Sequence, residues 1–370
     1  MFKNVFQGKK VLVTGHTGFK GSWLSLWLMK LGAEVHGLSK EVFDDPSHFH
    51  LLHLDEKLAS HNLVDIRDFE STKGVFEKVQ PDIVFHLAAE AIVKTCLDQP
   101  KDAFDVNLGG SVNILESIRS TPSIKAAVMI TSDKCYENVE WDFGYREPDR
   151  LGGKDPYSAS KACAEICFSA YYRSYFCHRK DLGIATARAG NVIGGGDWAN
   201  YRIIPDAMRA IESGKDLIIR APRATRPWQL VLEPLSGYLN LASELYLKSS
   251  SSELVGESFN FGPPTETEIS VNGVLEEIKK RIPSLKWIVD EKDPYAKNEA
   301  GLLKLNCDKA LRRLHWVATL NFSETIDFTS EWYNHWLDKK DITEISTHQI
   351  SRFEQRAKER GILWAQSNEK

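Results

Sequence analysis

The sequence KKVLVTGHTGFKG, residues 9–21, is the strongest indication of fold in this chain. Its apolar run predicts a short buried strand, and the apolar residues that follow predict a helix over 22–30. Glycines at this spacing permit a tight turn, a close approach of backbone to a pyrophosphate and close packing of helix on strand. The free N–H groups at the helix start then face the anion. We therefore predict the phosphate-binding turn of a dinucleotide site, in preference to a simple tight turn, at Gly15, His16, Thr17, Gly18, Phe19, Lys20 and Gly21.

Further strand–helix units follow this one along the chain. Short apolar runs predict strands over 34–38, 82–89, 125–130 and 182–188, a strand together with its exit over 63–68, and helices over 103–118 and 157–178. Alternation of this kind is typical of a parallel sheet with right-handed crossovers and helices on both faces. The predicted fold class is α/β, a Rossmann-like doubly wound parallel sheet.

The ends of these strands supply the other predicted contacts to the dinucleotide. An acidic residue at the end of the second strand would bind the adenosine ribose and favour NAD, but the chain has Ser39, Lys40 and Glu41 there. Lys40 could meet a 2′-phosphate or simply be solvated, so this position leaves NAD and NADP open. Small residues after the fourth strand leave space for a dinucleotide across the strand tip. The additional predicted cofactor contacts are Asp65, Ile66, Leu87, Ala88, Ala89, Asn107, Thr131, Tyr157 and Lys161.

Two short stretches carry the groups best suited to catalysis. A hydroxyl, a carboxylate and an amine, those of Ser132, Asp133 and Lys134, follow the end of the fifth strand. Ligands of open parallel sheets bind at the carboxyl ends of the strands. Tyr157 and Lys161 are spaced to lie one turn apart on one helix face. These five residues predict an active site for hydride transfer coupled to removal of water. The alternative is that Asp133 and Lys134 form only a salt bridge at a strand end.

The sequence changes character after the sixth predicted strand. Residues 189–198 are glycine-rich, and a helix is predicted to begin at Arg202. Arginines suit bidentate contacts to phosphate. A basic cluster alone is often a solvated surface, but beside a glycine-rich loop and Trp228 we interpret it as a site for a second phosphate-bearing ligand. The clustered arginines are Arg220, Arg223 and Arg226.

Composition argues against several other classes of protein. Hydrophobic residues at 42% and charged residues at 26% are typical of a globular protein, and a net charge of −4 without a long basic run speaks against nucleic acid as the main partner. No stretch predicts a signal peptide or a membrane span. Six cysteines without a C-x-x-C pair predict free thiols in a reducing cytoplasm. His48, His50 and His53 are interpreted as a polar surface segment in preference to a metal site.

Taken together, these motifs resemble the extended short-chain dehydrogenase/reductase family. The stretches that match it, in order, are Thr14–Gly21, Asp65-Ile66, His86–Ala89, Tyr157-x-x-x-Lys161 and Arg188–Asn191. Within that family, the sequence from Ser132 to Lys134 is similar to the catalytic stretch of nucleotide-sugar 4,6-dehydratases. Branches acting on dTDP-glucose or GDP-mannose usually carry Asp-Glu where this chain has Asp133-Lys134, and the Asp-Lys pair resembles the branch acting on CDP-glucose.

The resemblance implies a cofactor, a substrate and an assembly. It implies a retained NAD, CDP-D-glucose as substrate, and a homodimer or homotetramer built on sheet-flanking helices. It also implies a role in making deoxysugars for bacterial surface polysaccharide such as the O-antigen of lipopolysaccharide. We accordingly expect an NAD-binding Rossmann domain over 1–190, to which 228–250 returns. A nucleotide-sugar-binding domain is expected over 191–227 and 251–340, followed by a helical segment over 341–370.

The resemblance also implies a role for each catalytic residue. Tyr157 would take the proton of the sugar C4 hydroxyl, Lys161 would favour the phenolate, and Ser132 would bind the C4 oxygen. Lys134 would then act as base at C5 and Asp133 as acid to the departing C6 hydroxyl. The residues expected to bind the substrate are Glu90, Asn191, Trp198, Arg202, Pro205, Arg220, Arg226 and Trp228.

Three other functions share part of this evidence. A nucleotide-sugar 4-epimerase needs the same fold and the same Ser132, Tyr157 and Lys161, but leaves Asp133 and Lys134 without a role. A 4,6-dehydratase acting on another nucleotide hexose needs all five residues. A dinucleotide-sensing regulatory protein needs none of them, and is therefore the least favoured.

Overall fold

The computed structural model describes residues 1–42, 46–248, 253–263, 269–290 and 302–366. The parts of the predicted domains that comprise 43–45, 249–252, 264–268, 291–301 and 367–370 lie outside the described residues. The strands are β1 (Lys10–Thr14), β2 (Glu34–Ser39), β3 (Ser60–Leu63), β4 (Ile83–His86), β5 (Ala126–Ile130), β6 (Gly183–Ala189), β7 (Val192–Ile193), β8 (Leu217–Ile219), β9 (Thr225–Arg226), β10 (Gln229–Leu230), β11 (Ser258–Phe261), β12 (Ile269–Ser270) and β13 (Trp287–Val289).

Helices alternate with these strands. The α-helices are α1 (Phe19–Lys30), α2 (His48–Leu51), α3 (Leu54–Lys57), α4 (Phe69–Val79), α5 (Val93–Asp98), α6 (Pro100–Phe104), α7 (Ser111–Ser120), α8 (Pro156–Ser174), α9 (Ile203–Glu212), α10 (Leu232–Lys248), α11 (Val271–Lys279), α12 (Asp308–Leu314), α13 (Phe322–Leu337) and α14 (Ile342–Glu359). Short 3₁₀ segments cover Phe2–Asn4, Asp133–Cys135, Phe176–His178 and Leu363–Ala365, and Asp105–Gly110 forms a π-helical turn.

A seven-stranded parallel sheet forms the centre of the molecule, in the order β11-β6-β5-β4-β1-β2-β3. Every residue of β4, β5 and β6 is buried, because helices cover both faces of the sheet. The strand order reverses between β1 and β4, and both strands end at the same sheet edge. The predicted α/β doubly wound fold is confirmed.

The third strand differs from its predicted position. The prediction was 63–68, whereas β3 covers Ser60–Leu63 and the following residues form its exit. This strand lies at the sheet edge and is polar, with the Asn62 amide donating to Gly37 O at 2.9 Å and His36 bonded to Ser60 Oγ at 2.8 Å. A polar edge strand carries no apolar run, which is why periodicity missed it.

The region after the sixth strand forms three two-stranded sheets, which pair β7 with β10, β9 with β12, and β8 with β13. Helix α10 packs against β5 and β6, which agrees with the expected return of 228–250 to the first domain. Strand β11 lies within the range expected for the smaller domain, 251–340, but pairs with β6 in the central sheet. The domain boundaries as a whole stay a prediction.

The C-terminal helices cover α1. Every residue of α1 from Gly21 to Leu28 is buried. Trp27 Nε1 donates to Glu354 on α14 at 2.8 Å, and Trp364 stacks on Phe2 with ring centroids 4.8 Å apart. The expectation of a helical C-terminal segment agrees with α14, and this segment belongs to the core.

The histidines near the second strand are only partly at the surface. His50 and His53 are exposed as predicted, but His48 is 2% exposed, which corrects the interpretation of a polar surface segment. Its ring is bonded to Ser22 Oγ at 2.9 Å and Ser346 Oγ at 3.1 Å, and a buried imidazole needs such partners. Among the described residues, no three His, Cys, Asp or Glu side chains are grouped as metal ligands. None of the described helices combines the length and apolar character that crossing a membrane requires.

Candidate active site

The phosphate turn between β1 and α1 is so tight that a Cβ atom fits neither at its first glycine nor at its last. Gly15 has φ +74°, and a Cβ on it would lie 2.7 Å from Ala88 N. A Cβ on Gly21 would lie 2.0 Å from Gly15 O. Helix α1 begins after Gly18 without a side-chain cap, so its first N–H groups remain for a ligand. The turn therefore fits the pyrophosphate of a dinucleotide.

The end of β2 presents a pair of opposite charges. Lys40 Nζ lies 3.8 Å from Glu41 Oε1, and both side chains are more than half exposed. Thr17 Oγ1 donates to Glu41 O at 2.8 Å, which ties this segment to the phosphate turn. The carboxylate beside Lys40 offsets the positive charge that a 2′-phosphate would require.

Three of the additional predicted cofactor contacts, Asp65, Ile66 and Asn107, are held in place by contacts within the protein. Arg67 binds both carboxylate oxygens of Asp65, at 3.1 and 2.7 Å, and thereby lowers the pKa of Asp65. Ile66 is 4% exposed and packs in the core. The Asn107 amide exchanges hydrogen bonds with the backbone of Glu90 and donates to Ser160 Oγ at 2.9 Å. Asn107 thus joins the exit of β4 to α8, and its cofactor contact stays a prediction.

The catalytic stretch forms a short 3₁₀ turn at the carboxyl end of β5. Ser132 Oγ accepts from Lys134 N at 3.2 Å, which caps the turn, and donates to Asp133 Oδ1 at 3.0 Å. Asp133 is 3% exposed, and its Oδ2 has no hydrogen-bond partner in the described parts of the chain. Lys134 remains partly exposed. The turn therefore buries the carboxyl of Asp133 and leaves the Lys134 side chain partly exposed.

Burial shifts the ionisation of the central residues. It raises the pKa of Asp133, against the opposing charges of Lys134 and Lys20 and the hydroxyl of Ser132. It also raises the pKa of Tyr157, with Ser132 acting in the opposite direction. Burial lowers the pKa of Lys161 to about 8, against the charge of Glu165. Asp133 is thus biased to hold a proton, as a general acid must.

Lys20 is placed differently from what the phosphate-turn motif suggests. The motif predicts only a place in the turn, but the charges of the active-site residues Asp133 and Lys161 act on its amine. Burial lowers the pKa of Lys20 to about 8, the Arg202 charge acts in the same direction, and Asp133 acts in the opposite one. Only the fold brings these three residues together.

A buried ion pair between β6 and α8 supports the catalytic stretch. Arg188 donates to both carboxylate oxygens of Glu165, at 2.9 and 2.7 Å, and both side chains are buried. Glu165 also accepts from Thr131 Oγ1, so Thr131 acts as a support for the stretch, and its cofactor contact stays a prediction. A further Arg188 donor reaches the Tyr136 hydroxyl at 2.8 Å. The pair therefore joins β5, β6 and α8 beneath the site.

The glycine-rich loop after β6 brings a further cationic group, the guanidinium of Arg202, to the site. Arg202, at the start of α9, donates to Asp197 Oδ2 at 3.0 Å. Arg202 also opposes the rise in the pKa of Tyr157, which shows that its charge acts on the catalytic tyrosine. Asp197 belongs to the glycine-rich run 189–198 and has no predicted role; the signal for it was a carboxylate five residues before an arginine in such a loop.

The remaining predicted substrate residues differ in their surroundings. Trp228 is 5% exposed and donates to Ile269 O at 2.8 Å, and Arg226 lies next to it on β9. Trp198 packs against α13, with its ring centroid 4.5 Å from that of Trp336, so its observed contacts are those of an aromatic cluster. The other predicted residues lie as follows: Glu90 and Asn191 after β4 and β6, Pro205 buried in α9, and Arg220 after β8. Their substrate contacts stay predictions.

Comparison with known sequences gives consistent matches. The profile of a family described as GDP-mannose 4,6 dehydratase matches residues 12–329. The chain is 43% identical, over 95% of its length and 98% of the relative's, to CDP-glucose 4,6-dehydratase of Salmonella typhimurium. It is 26% identical, over 87% of its length and 97% of the relative's, to dTDP-glucose 4,6-dehydratase of Haemophilus influenzae.

Solved structures show the same fold at lower identity. UDP-glucose 4-epimerase of Thermus thermophilus, in complex with NAD, superposes with a TM-score of 0.74 at 23% identity, covering 88% of this chain and 99% of that one. A dTDP-glucose 4,6-dehydratase of Bacillus anthracis in complex with NAD gives a TM-score of 0.71 at 20% identity, covering 88% and 97%.

Proposed function

The chain belongs to the GDP-mannose 4,6 dehydratase family, and on that premise we propose that it converts CDP-D-glucose to CDP-4-dehydro-6-deoxy-D-glucose and water. The observation that carries this proposal is the turn at the end of β5, which places a buried carboxyl and an open amine next to Ser132. An epimerase would need the serine but neither of its two neighbours. The base of the substrate is taken from the similarity to the Salmonella typhimurium protein, which is named a CDP-glucose 4,6-dehydratase.

The first half of the reaction oxidises C4 to a ketone, which requires removal of the proton of the C4 hydroxyl and of the hydride on C4. Tyr157 accepts the proton, and since burial raises the pKa of this phenol, positive charge around it must favour the phenolate. Lys161 provides that charge, and Ser132 binds the C4 oxygen. NAD, when bound, supplies the acceptor for the C4 hydride and returns it to C6, so no net oxidation occurs.

The second half eliminates water across C5 and C6. A ketone at C4 makes the C5 proton removable, which is why oxidation comes first. We assign the removal of that proton to Lys134, whose side chain stays partly exposed next to the buried Asp133. Asp133 gives its proton to the departing C6 hydroxyl, and its burial favours the protonated form that this requires.

We also propose NAD, and not NADP, as the cofactor. The tight phosphate turn fits either dinucleotide, but the Glu41 carboxylate beside Lys40 disfavours a 2′-phosphate. Apo protein should therefore recover activity with NAD and gain nothing from NADP. Recovery with NADP alone would overturn this assignment. In that case Glu41 plays no part in the choice of cofactor, and Glu41→Gln should leave the preference for NADP unchanged.

Three wider expectations belong to the same proposal. The six free cysteines support a reducing, cytoplasmic setting. A homodimer or homotetramer is expected on the helices flanking the sheet. We also propose that the product serves the synthesis of deoxysugars for surface polysaccharide such as lipopolysaccharide.

Product mass provides the test of the reaction. The protein is incubated with CDP-, dTDP-, UDP- and GDP-hexoses, and the products are examined by mass spectrometry. We expect loss of one water from CDP-glucose and little change of the other three. An isomer of unchanged mass would favour a 4-epimerase, and loss of water from a different nucleotide hexose would reassign the base.

A further inference from the structure

The glycine-rich loop of the substrate side is enclosed by side chains from α13. A Cβ on Gly195 would lie 1.9 Å from the Trp332 ring, so the loop backbone rests directly on that indole. On the other side, Trp23 Nε1 donates to Gly195 O at 2.8 Å. The loop is therefore held between α1 and α13, and glycine is required at Gly195 because no side chain fits.

The next residue of α13 binds the end of this loop. The Tyr333 hydroxyl donates to Asp197 O at 2.7 Å, and both residues are buried. The Asp197 carboxylate in turn accepts from Ala199 N at 3.2 Å and from Arg202 Nη1 at 3.0 Å. One hydroxyl thus fixes the backbone of the residue whose carboxylate orients Arg202.

Arg202 extends from this anchor towards the cleft. Its side chain is 34% exposed, whereas that of Asp197 is 4% exposed. The guanidinium is therefore held at one end by a buried carboxylate and keeps its other donors accessible. Such an arrangement reduces the freedom that an arginine loses when it binds a phosphate.

The position of α13 is itself secured by a shared hydrogen-bond partner. Ser346 Oγ on α14 is bonded both by Trp332 Nε1, at 2.9 Å, and by His48 Nε2, at 3.1 Å. The other nitrogen of His48 bonds Ser22 Oγ on α1 at 2.9 Å. These contacts connect the phosphate-binding helix to both C-terminal helices through buried groups.

The family match ends at residue 329, so Trp332, Tyr333 and Ser346 lie beyond the residues that it covers. We propose that Tyr333 is a positioning residue: through Asp197 it holds Arg202 in the orientation that binds the diphosphate of the nucleotide sugar. This inference rests on the proposed function of the site. It gives the C-terminal helices a role in substrate binding, since they carry Tyr333 and the contacts that fix it.

Tyr333→Phe is the direct test, because it removes the hydroxyl and retains the packed ring. We expect KM for CDP-glucose and Kd for CDP to rise about fivefold, the change expected for one hydrogen bond between neutral groups, with kcat within about twofold. Binding of cytidine, which lacks phosphate, and the content of bound NAD should stay as in the parent. Tyr171→Phe is the matched control, since it removes the 2.8 Å bond to Glu116 on another face of the molecule.

A double-mutant cycle tests the route through Arg202. In an Arg202→Ala background, Tyr333→Phe should cause no further loss of affinity for CDP, because the residue on which it acts is gone. Full additivity of the two changes, an equal loss of cytidine binding, or an unchanged KM in Tyr333→Phe would each overturn the inference. The measurements use whichever nucleotide hexose the parent turns over, so failure with CDP-glucose would reject the proposed substrate without deciding the role of Tyr333.

Discussion

Asp133 and Lys134 are adjacent in the chain but lie in different environments. The 3₁₀ turn that Ser132 caps places the carboxyl in the interior and leaves the amine partly exposed. Because burial raises the pKa of Asp133, the carboxyl is shifted towards its protonated form, as the acid role proposed for it requires. A surface salt bridge would not separate them in this way.

The first prediction separates the two halves of the reaction. In an Asp133→Asn, Lys134→Met double variant, oxidation at C4 can proceed through Ser132, Tyr157 and Lys161, but elimination should slow by roughly a hundredfold or more. NADH absorbance should therefore build up on addition of CDP-glucose, with little water lost. Tyr157→Phe should give no NADH, because the proton of the C4 hydroxyl has no acceptor. Dehydration by the double variant at a rate near the parent's would reject both assignments and reopen the epimerase interpretation.

The second prediction concerns the arginines before Trp228. If Arg226 binds a phosphate, Arg226→Ala should weaken binding of CDP by roughly 2–5 kcal/mol, as expected when one side of a buried charged pair is lost. Isothermal titration measures this effect, and bound NAD should be retained. Arg223→Ala, which changes an exposed arginine of the same cluster, is the control and should have little effect. Equal affinities in the two variants would return Arg226 to the solvated surface.

At the scale of elements, the pair of Arg188 and Glu165 is the main link beneath the site. It lies where β6 and α8 meet, and Thr131 and Tyr136 join it from either side of the catalytic turn. Burial acts to lower the pKa of Arg188, but the charge and the hydrogen bonds of Glu165, together with other neighbours, raise it. Both partners are therefore charged, and each depends on the other, since an unpaired charge in the interior is costly.

The third prediction follows from that dependence. Arg188→Met should lower the free energy of unfolding by roughly 3–5 kcal/mol, because Glu165 is left buried without its partner. Chemical denaturation measures the change, and Arg119→Met, which breaks a more exposed pair with Glu116, should cost less than about 1 kcal/mol. Adding Glu165→Leu to Arg188→Met should recover part of the loss. A double variant less stable than Arg188→Met would contradict the account.

At the scale of the whole molecule, buried histidines connect stability to pH. Burial lowers the pKa of His16 to about 4 and the pKa values of His48 and His86 to about 3. In the unfolded chain these rings titrate near 6.5. The unfolded state therefore binds more protons between these values, and the stability that neutral rings provide is complete above pH 6.5 and is lost as pH falls towards 4.

The fourth prediction isolates one of these rings. His48→Gln should lower stability at pH 7.5, because it disturbs the bonds to Ser22 and Ser346. It should also make the free energy of unfolding fall less steeply between pH 6.5 and 4.5, by up to about 1.4 kcal/mol per pH unit for the one proton removed. Urea denaturation at several pH values measures both effects. His50→Gln, at an exposed site, should leave the slope as in the parent, and equal slopes in all three proteins would contradict the prediction.

Most of the fold could be predicted from local patterns in the chain. The strands at 10–14, 83–86 and 126–130 are apolar runs, and a buried parallel sheet requires such runs. The polar edge strand at 60–63 was displaced in the prediction because its side chains bond to their neighbours and have no apolar face. The π-helical turn at 105–110 interrupts a stretch predicted as one helix, and helix periodicity carries no signal for one extra residue in a turn.

The sequence by itself determined which chemistry the site can perform. Glycine spacing, the order Ser132-Asp133-Lys134 and the helical spacing of Tyr157 and Lys161 are all local, so adjacent residues were sufficient to identify them. Only the tertiary structure decided what surrounds these groups. It brought Lys20 and Arg202 to them from separate segments. Burial and electric charge act through space, so the ionisation of Asp133, and the hydroxyl that reaches the substrate loop from α13, depend on contacts between residues far apart in the chain.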